Sequence, residues 1–116
     1  MAIVFALNSL FLAIVGAVML AAPRKLFPTA DALGLAVTQA TGIGDLAMAT
    51  VTGVLLASRG ASAPPVAGLA VFHLGLTLVL ALNRNTAFFR LPALLSHAAL
   101  GTAFVWVLTA TVGVAA

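Results

Sequence analysis

The 116-residue chain is 64% hydrophobic and only 6% charged, and it contains no cysteine. This composition lies far outside that of a water-soluble domain, and the absence of thiols excludes disulfides and thiolate chemistry. The basic residues stand singly or in one pair beside apolar runs, as membrane flanks do, so the formal charge of +3 does not indicate nucleic-acid binding.

Four apolar runs follow one another, each close to the ~20 residues that a helix needs to cross a bilayer. They predict membrane-spanning helices at about residues 2–22, 30–58, 63–82 and 91–115. The first helix is expected to end at Pro23. Thr29 is expected to cap the second helix, with Asp31 in its first turn, and Ser62 to cap the third.

The links between these helices are too short to hold a soluble domain and force sequential helices to run antiparallel. The predicted fold is therefore all-α: residues 1–116 form a single transmembrane domain, an antiparallel up-down bundle of four helices. Basic residues concentrate in the first and third links, 23–34 and 83–90, whereas the second contains Arg59 alone. Because cytoplasmic loops are enriched in Lys and Arg, we expect links 23–34 and 83–90 in the cytoplasm and both termini outside.

Small residues recur at four-residue spacing on three of the predicted helices. The sets are Ser9, Ala13 and Ala17; Ala49, Gly53 and Ala57; and Ala93, His97 and Gly101. Such spacing allows helices to approach closely in lipid. The expected partners are thus the lipid bilayer and other membrane helices, in a homo- or hetero-oligomer, and not nucleic acid.

Asp45 is the one charged residue near the middle of a predicted helix. A charge at the bilayer centre costs at least ~2.5 kcal/mol, so Asp45 should face the bundle interior or be neutral. Helical spacing predicts a small, hydroxyl-bearing face around it, consisting of Thr38, Thr41, Gly42, Ala49 and Thr52. His73 is at nearly the same depth in the third helix, which makes it a candidate partner of Asp45.

Other polar residues lie at different depths of the predicted bundle. His97, on the fourth helix, is level with Gln39 on the second, and Asn8 is in the outer half of the first. The complete set of intramembrane candidates for ligand binding is Asp45, His73, His97, Gln39, Asn8 and Thr41.

Three interpretations of these residues remain open. They can form hydrogen bonds that hold helices together, they can form a pathway for protons or a small substrate, or His73 or His97 can ligate a haem or a chlorophyll-type pigment. Ala93, four residues before His97, would leave room for a macrocycle. We predict no catalytic residues and no metal site. We interpret Gly42-Ile43-Gly44 as helix-packing glycine or a local distortion near Asp45, and not as a nucleotide loop.

Three features carry a resemblance to a known group of proteins: Ala-Ala-Pro-Arg-Lys-Leu-Phe-Pro after the first helix, Thr-Gly-Ile-Gly-Asp-Leu-Ala-Met-Ala in the second, and a lone histidine in the third. This layout resembles the small four-helix bacterial membrane proteins called DoxX-like. The resemblance implies a four-helix bundle in a bacterial cytoplasmic membrane, and it implies no reaction.

The expected function is that of a non-enzymatic membrane protein, either a helper subunit of a membrane assembly or a binder of an apolar ligand between helices. One alternative is a proton-coupled small-molecule transporter that uses Asp45 and His73. The other is a pigment-binding subunit that uses His73 or His97.

Overall fold

The computed structural model describes residues 1–58, 62–85 and 90–113, and these ranges contain helices and no strand. The helices are α1 (Ala2–Ala21), α2 (Pro23–Leu26), α3 (Ala32–Ala57), α4 (Ala63–Leu82) and α5 (Leu91–Gly113). All but α2 are long and apolar enough to cross a membrane, by length and composition. The predicted all-α membrane fold is confirmed, and a helical bundle fits these elements.

The first link contains a short helix, α2, that the sequence did not predict. α1 ends at Ala21, and Pro23 opens the one-turn helix α2, where its missing N–H does no harm. The prediction that Thr29 caps the next helix is wrong. Asp31 is the N-cap residue of α3, and its carboxylate accepts a hydrogen bond of 2.8 Å from the Gly34 N–H. Asp is among the strongest N-cap residues, so the helix begins one residue after it.

The remaining boundaries follow the sequence prediction closely. Ser62 occupies the N-cap position of α4, although its side chain makes no capping hydrogen bond with the described residues. The predicted helix at 91–115 is observed as α5 up to Gly113. The end of that prediction, 114–115, lies outside the described residues, as do Arg59 in the second link and residues 86–89 in the third.

The chain divides into two compact units. The first contains α1, α2 and α3. In this unit Asn8 and Ser9, near the start of α1, contact Thr52 and Ala49 near the end of α3, whereas Leu20, at the end of α1, contacts the first half of α3. α1 and α3 therefore form an antiparallel hairpin.

Two glycines mark the closest approach of α1 and α3. A Cβ atom on Gly16 would lie 2.8 Å from the Gly42 carbonyl oxygen, and one on Gly42 would lie 2.8 Å from the Gly16 carbonyl oxygen. Real Cβ atoms do not come so close to a backbone oxygen, so only glycine fits at both positions. The helix-packing interpretation of Gly42-Ile43-Gly44 therefore holds at Gly42, whereas a Cβ atom at Gly44 would meet nothing within 4 Å.

The second unit contains α4 and α5. α4 and α5 pack against each other, and the short link between them, residues 83–90, fits an antiparallel hairpin. Gly101 packs against Leu74, whose Cδ2 would lie 2.7 Å from a Cβ at residue 101. Phe104 and Val107 on α5 are fully buried, as is Val66 on α4.

Candidate intramembrane sites

The first hairpin uses polar side chains to join its two long helices. The Asn8 amide donates a 2.8 Å hydrogen bond to the Thr52 hydroxyl oxygen, and both residues are fully buried. One residue further along α1, the Ser9 hydroxyl donates to the Ala49 carbonyl oxygen at 2.9 Å. Two adjacent residues of α1 are thus held to consecutive turns of the same face of α3.

A third hydrogen bond closes the other end of this hairpin. The Gln39 side chain is exposed and donates from Nε2 to the Leu20 carbonyl oxygen at 3.1 Å. That carbonyl belongs to the last turn of α1, where carbonyl groups have no partner within the helix. Gln39 therefore satisfies a helix terminus.

The buried residues of α3 form a single face. They are Thr38, Gly42, Asp45, Ala49 and Thr52. Each was predicted to lie on this face. Thr41, also predicted there, is exposed, and its hydroxyl donates to the Val37 carbonyl oxygen of its own helix. The crossing at Gly42 explains the difference. It shifts the contact with α1 to the side of this face that lies away from Thr41, so Thr41 stays exposed.

Asp45 is at the centre of that face and is only 2% exposed. A Cβ atom on Gly16 would lie 3.0 Å from its Cβ, so the close approach of α1 helps to cover it. Its Oδ1 atom is buried and has no hydrogen-bond partner among the described residues. A buried carboxylate oxygen without a partner is costly, and this cost distinguishes Asp45 from the other polar residues of the hairpin.

The second hairpin contains a pair of histidines. His73 on α4 and His97 on α5 approach with their Nδ1 atoms 2.8 Å apart, and both rings are buried. Two neutral imidazoles form such a bond when one carries its proton on Nδ1 and the other on Nε2. The pair is therefore an interhelical hydrogen bond between complementary tautomers.

Aromatic rings surround this pair. Phe104 stacks on His73 with ring centroids 5.7 Å apart and an interplanar angle of 13°. Phe72 presents its ring edge-on to His73 at 5.1 Å and to His97 at 6.3 Å. These contacts exclude water and fix the ring planes, so the hydrogen bond lies in an apolar setting where it is stronger than in water.

The predicted contact of Asp45 with His73 remains a prediction, because the two residues belong to different compact units. No group of three or more potential metal ligands of the His, Cys, Asp or Glu type occurs in the part of the chain that the structure describes. Because both Nδ1 atoms of the histidine pair face each other, a haem iron at His73 or His97 would have to bind Nε2.

Comparison with known proteins assigns no family to this chain. No protein-family model, no curated protein and no solved structure matches this chain. The DoxX-like resemblance therefore remains a prediction.

Sequence reasoning missed two residues that shape these sites. Gly16 permits the approach of α1 to Asp45, and its signal was its spacing from Phe5, Asn8 and Leu12, the other buried residues of α1. Phe104 stacks on His73, and its signal was its place one turn beyond Gly101 on the packing face of α5.

Proposed function

We propose that this protein is a non-enzymatic integral membrane protein that acts within the bilayer, as a helper subunit of a membrane assembly or as a binder of an apolar ligand between helices. The observation that carries the proposal is the use of its polar side chains. Asn8, Ser9 and Gln39 join α1 to α3, and His73 joins α4 to α5 through His97. Apart from Asp45, the intramembrane polar groups named here are thus occupied in holding helices together.

The surface of the long helices supports action through apolar contacts. Large aliphatic side chains such as Ile3, Val37 and Leu78 are more than half exposed, as lipid-facing or partner-facing residues are. The described links hold only one helical turn and a few polar residues, too little for a separate recognition domain. A partner or ligand would therefore be met through helix faces.

Purification in a mild detergent followed by native mass spectrometry tests this proposal. We expect a defined oligomer, a fixed partner, or a retained apolar molecule, present at constant stoichiometry in two detergents of different headgroup. A strictly monomeric protein without any bound molecule in both detergents would contradict it.

The proposal includes a location and a topology. The resemblance to DoxX-like proteins supports a bacterial cytoplasmic membrane, and the distribution of basic residues supports cytoplasmic links at 23–34 and 83–90 with both termini outside. Reporter fusions after Ser62 and after Asn85 should report the outside and the cytoplasm, respectively. The same compartment for both would refute the topology, and the reverse order would overturn the orientation.

A second candidate function, a proton-coupled transporter, is favoured by Asp45. Its Oδ1 atom is the buried oxygen for which the hairpin, as described, offers no donor. An intramembrane carboxyl group can satisfy such an oxygen with a proton, and acids of this kind occur in proton relays. Asp45 would then be the residue that takes up and releases the proton.

Reconstitution in liposomes with a trapped pH-sensitive dye tests the proton pathway. After outside acidification with valinomycin and potassium present, the wild type should admit protons faster than empty liposomes, and Asp45→Asn should behave like empty liposomes. Asp31→Asn is the matched control, because Asp31 is the other acidic residue and only caps α3. Equal fluxes for the wild type and Asp45→Asn would eliminate a proton pathway through Asp45.

A further inference from the structure

A cleft of about 330 Å³ lies where α1 ends and α2 begins, beside the first turns of α3. It is lined by Ala21, Ala22, Pro23, Arg24, Lys25, Leu35 and Gln39. Its volume falls in the ~300–1,000 Å³ range of small-molecule sites. The lining combines two basic groups with apolar walls, so the cleft suits a ligand that is both anionic and apolar.

The positive charge of this cleft is not compensated nearby. Arg24 and Lys25 are exposed, and neither forms an ion pair with a residue that the structure describes. Asp31, the acidic residue of this link, does not line the cleft, and its carboxylate is engaged with the Gly34 N–H. Gln39 adds an amide nitrogen, of which one N–H is used by the Leu20 carbonyl group and a second N–H remains on the same atom.

The position of the cleft along the helices matches the depth of lipid headgroups. α1 is an apolar span that ends at Ala21, and the basic pair follows within four residues. Exposed aliphatic side chains lie on the hydrocarbon side of the cleft, including Leu20 near the end of α1 and Ile43 one turn beyond Gln39 on α3. A phosphate group in the cleft would therefore leave its acyl chains against these side chains.

We propose that this cleft binds the phosphate group of an anionic phospholipid. The planar guanidinium of Arg24 can donate two parallel hydrogen bonds to phosphate oxygens, and Lys25 adds a point charge beside it. Leu35 and Pro23 supply the apolar wall against the glycerol and upper acyl region. This site is independent of the functions proposed above.

Lipid exchange in nanodiscs tests the assignment. Wild-type protein is placed in nanodiscs of phosphatidylcholine with a minor fraction of phosphatidylglycerol, and the lipids it retains are measured by native mass spectrometry. The double variant Arg24→Gln with Lys25→Gln should lose about 30-fold of its preference for phosphatidylglycerol, since two basic groups near a membrane surface are removed. Arg84→Gln, which removes an exposed basic residue outside the cleft, should retain the preference.

Two outcomes would overturn the proposal: a wild type without preference for phosphatidylglycerol, or a preference that the Arg24 and Lys25 double variant keeps. The charge-preserving change Arg24→Lys with Lys25→Arg supplies a second test, because it should retain most of the preference and higher salt should weaken it.

A separate arm adds inorganic phosphate to the protein in detergent. If phosphate raised the melting temperature as much as phosphatidylglycerol at equal concentration, the site would bind free phosphate and the lipid assignment would be overturned.

Discussion

Replacing both histidines of the buried pair should destabilise the second hairpin by less than the sum of the two single replacements. The informative changes are His73→Phe and His97→Phe, because phenylalanine keeps a ring of similar size against Phe104 and Phe72 while it removes both nitrogens. Alanine would add a cavity to the loss and obscure the hydrogen bond.

The magnitude follows from the burial of the pair. His73 is fully buried and His97 is 7% exposed, with 2.8 Å between their Nδ1 atoms. Interhelical hydrogen bonds in membrane proteins average ~0.6 kcal/mol and reach ~1.7, and a buried polar atom that loses its partner costs ~1–3 kcal/mol. Each single change should therefore cost ~1–3 kcal/mol. The double change removes the orphaned nitrogen, so it should cost ~0.6–2 kcal/mol less than the sum.

The measurement is a double-mutant cycle on unfolding free energies in one detergent. Thr77→Val is the matched control, because the Thr77 hydroxyl only donates to the His73 carbonyl oxygen of its own helix. Its effect should stay within ~0.5 kcal/mol. Single losses that add within ~0.3 kcal/mol in the double variant would show that the two imidazoles do not interact, and the reasoning on this pair would fail.

Two further predictions concern the first hairpin, each with a matched control. Gly16→Ala should cost ~1–3 kcal/mol by overpacking against the backbone of α3. Gly44→Ala is the control, because a Cβ atom there meets nothing within 4 Å, so this change should keep or slightly raise the melting temperature. Equal melting temperatures for the two variants would refute the close approach. Thr52→Val should cost ~0.6–2 kcal/mol because it removes the acceptor of the Asn8 amide. Thr50→Val removes only a bond within its own helix at an exposed position, so a comparable loss there would contradict this role for Thr52.

The four spans could be predicted because hydrocarbon imposes their length and because each apolar run ends at polar residues or proline. The cap of α3 was misplaced by two residues, from Thr29 to Asp31, because both are good caps and local sequence does not decide between them. The polar face of α3 was predicted almost completely from helical spacing. Thr41 is not part of the buried face. The direction from which α1 approaches depends on Gly16, and residue spacing within α3 contains no information about α1.

The histidine pair could not be obtained from the reasoning on depth. By depth alone, His73 is matched with Asp45, and His97 is level with Gln39. The short link at 83–90 makes α4 and α5 a hairpin, so two histidines in the halves of these helices nearest the link can meet although their depths differ by several residues. The two imidazole side chains are long enough to bridge this difference in depth.

Packing does not explain why residue 45 is an aspartate. Its neighbours on the buried face of α3 are threonine, glycine and alanine, and any of these types would fill the space beside Gly16 at no electrostatic cost. A carboxyl group there costs at least ~2.5 kcal/mol if charged. The hydrogen bonds of Asn8 and Ser9 hold the hairpin without its help. We therefore expect the reason for Asp45 to be a group that binds the carboxyl itself, which is a proton, a ligand or the predicted partner His73. The comparison of Asp45→Asn with Asp31→Asn separates a function of this kind from stability.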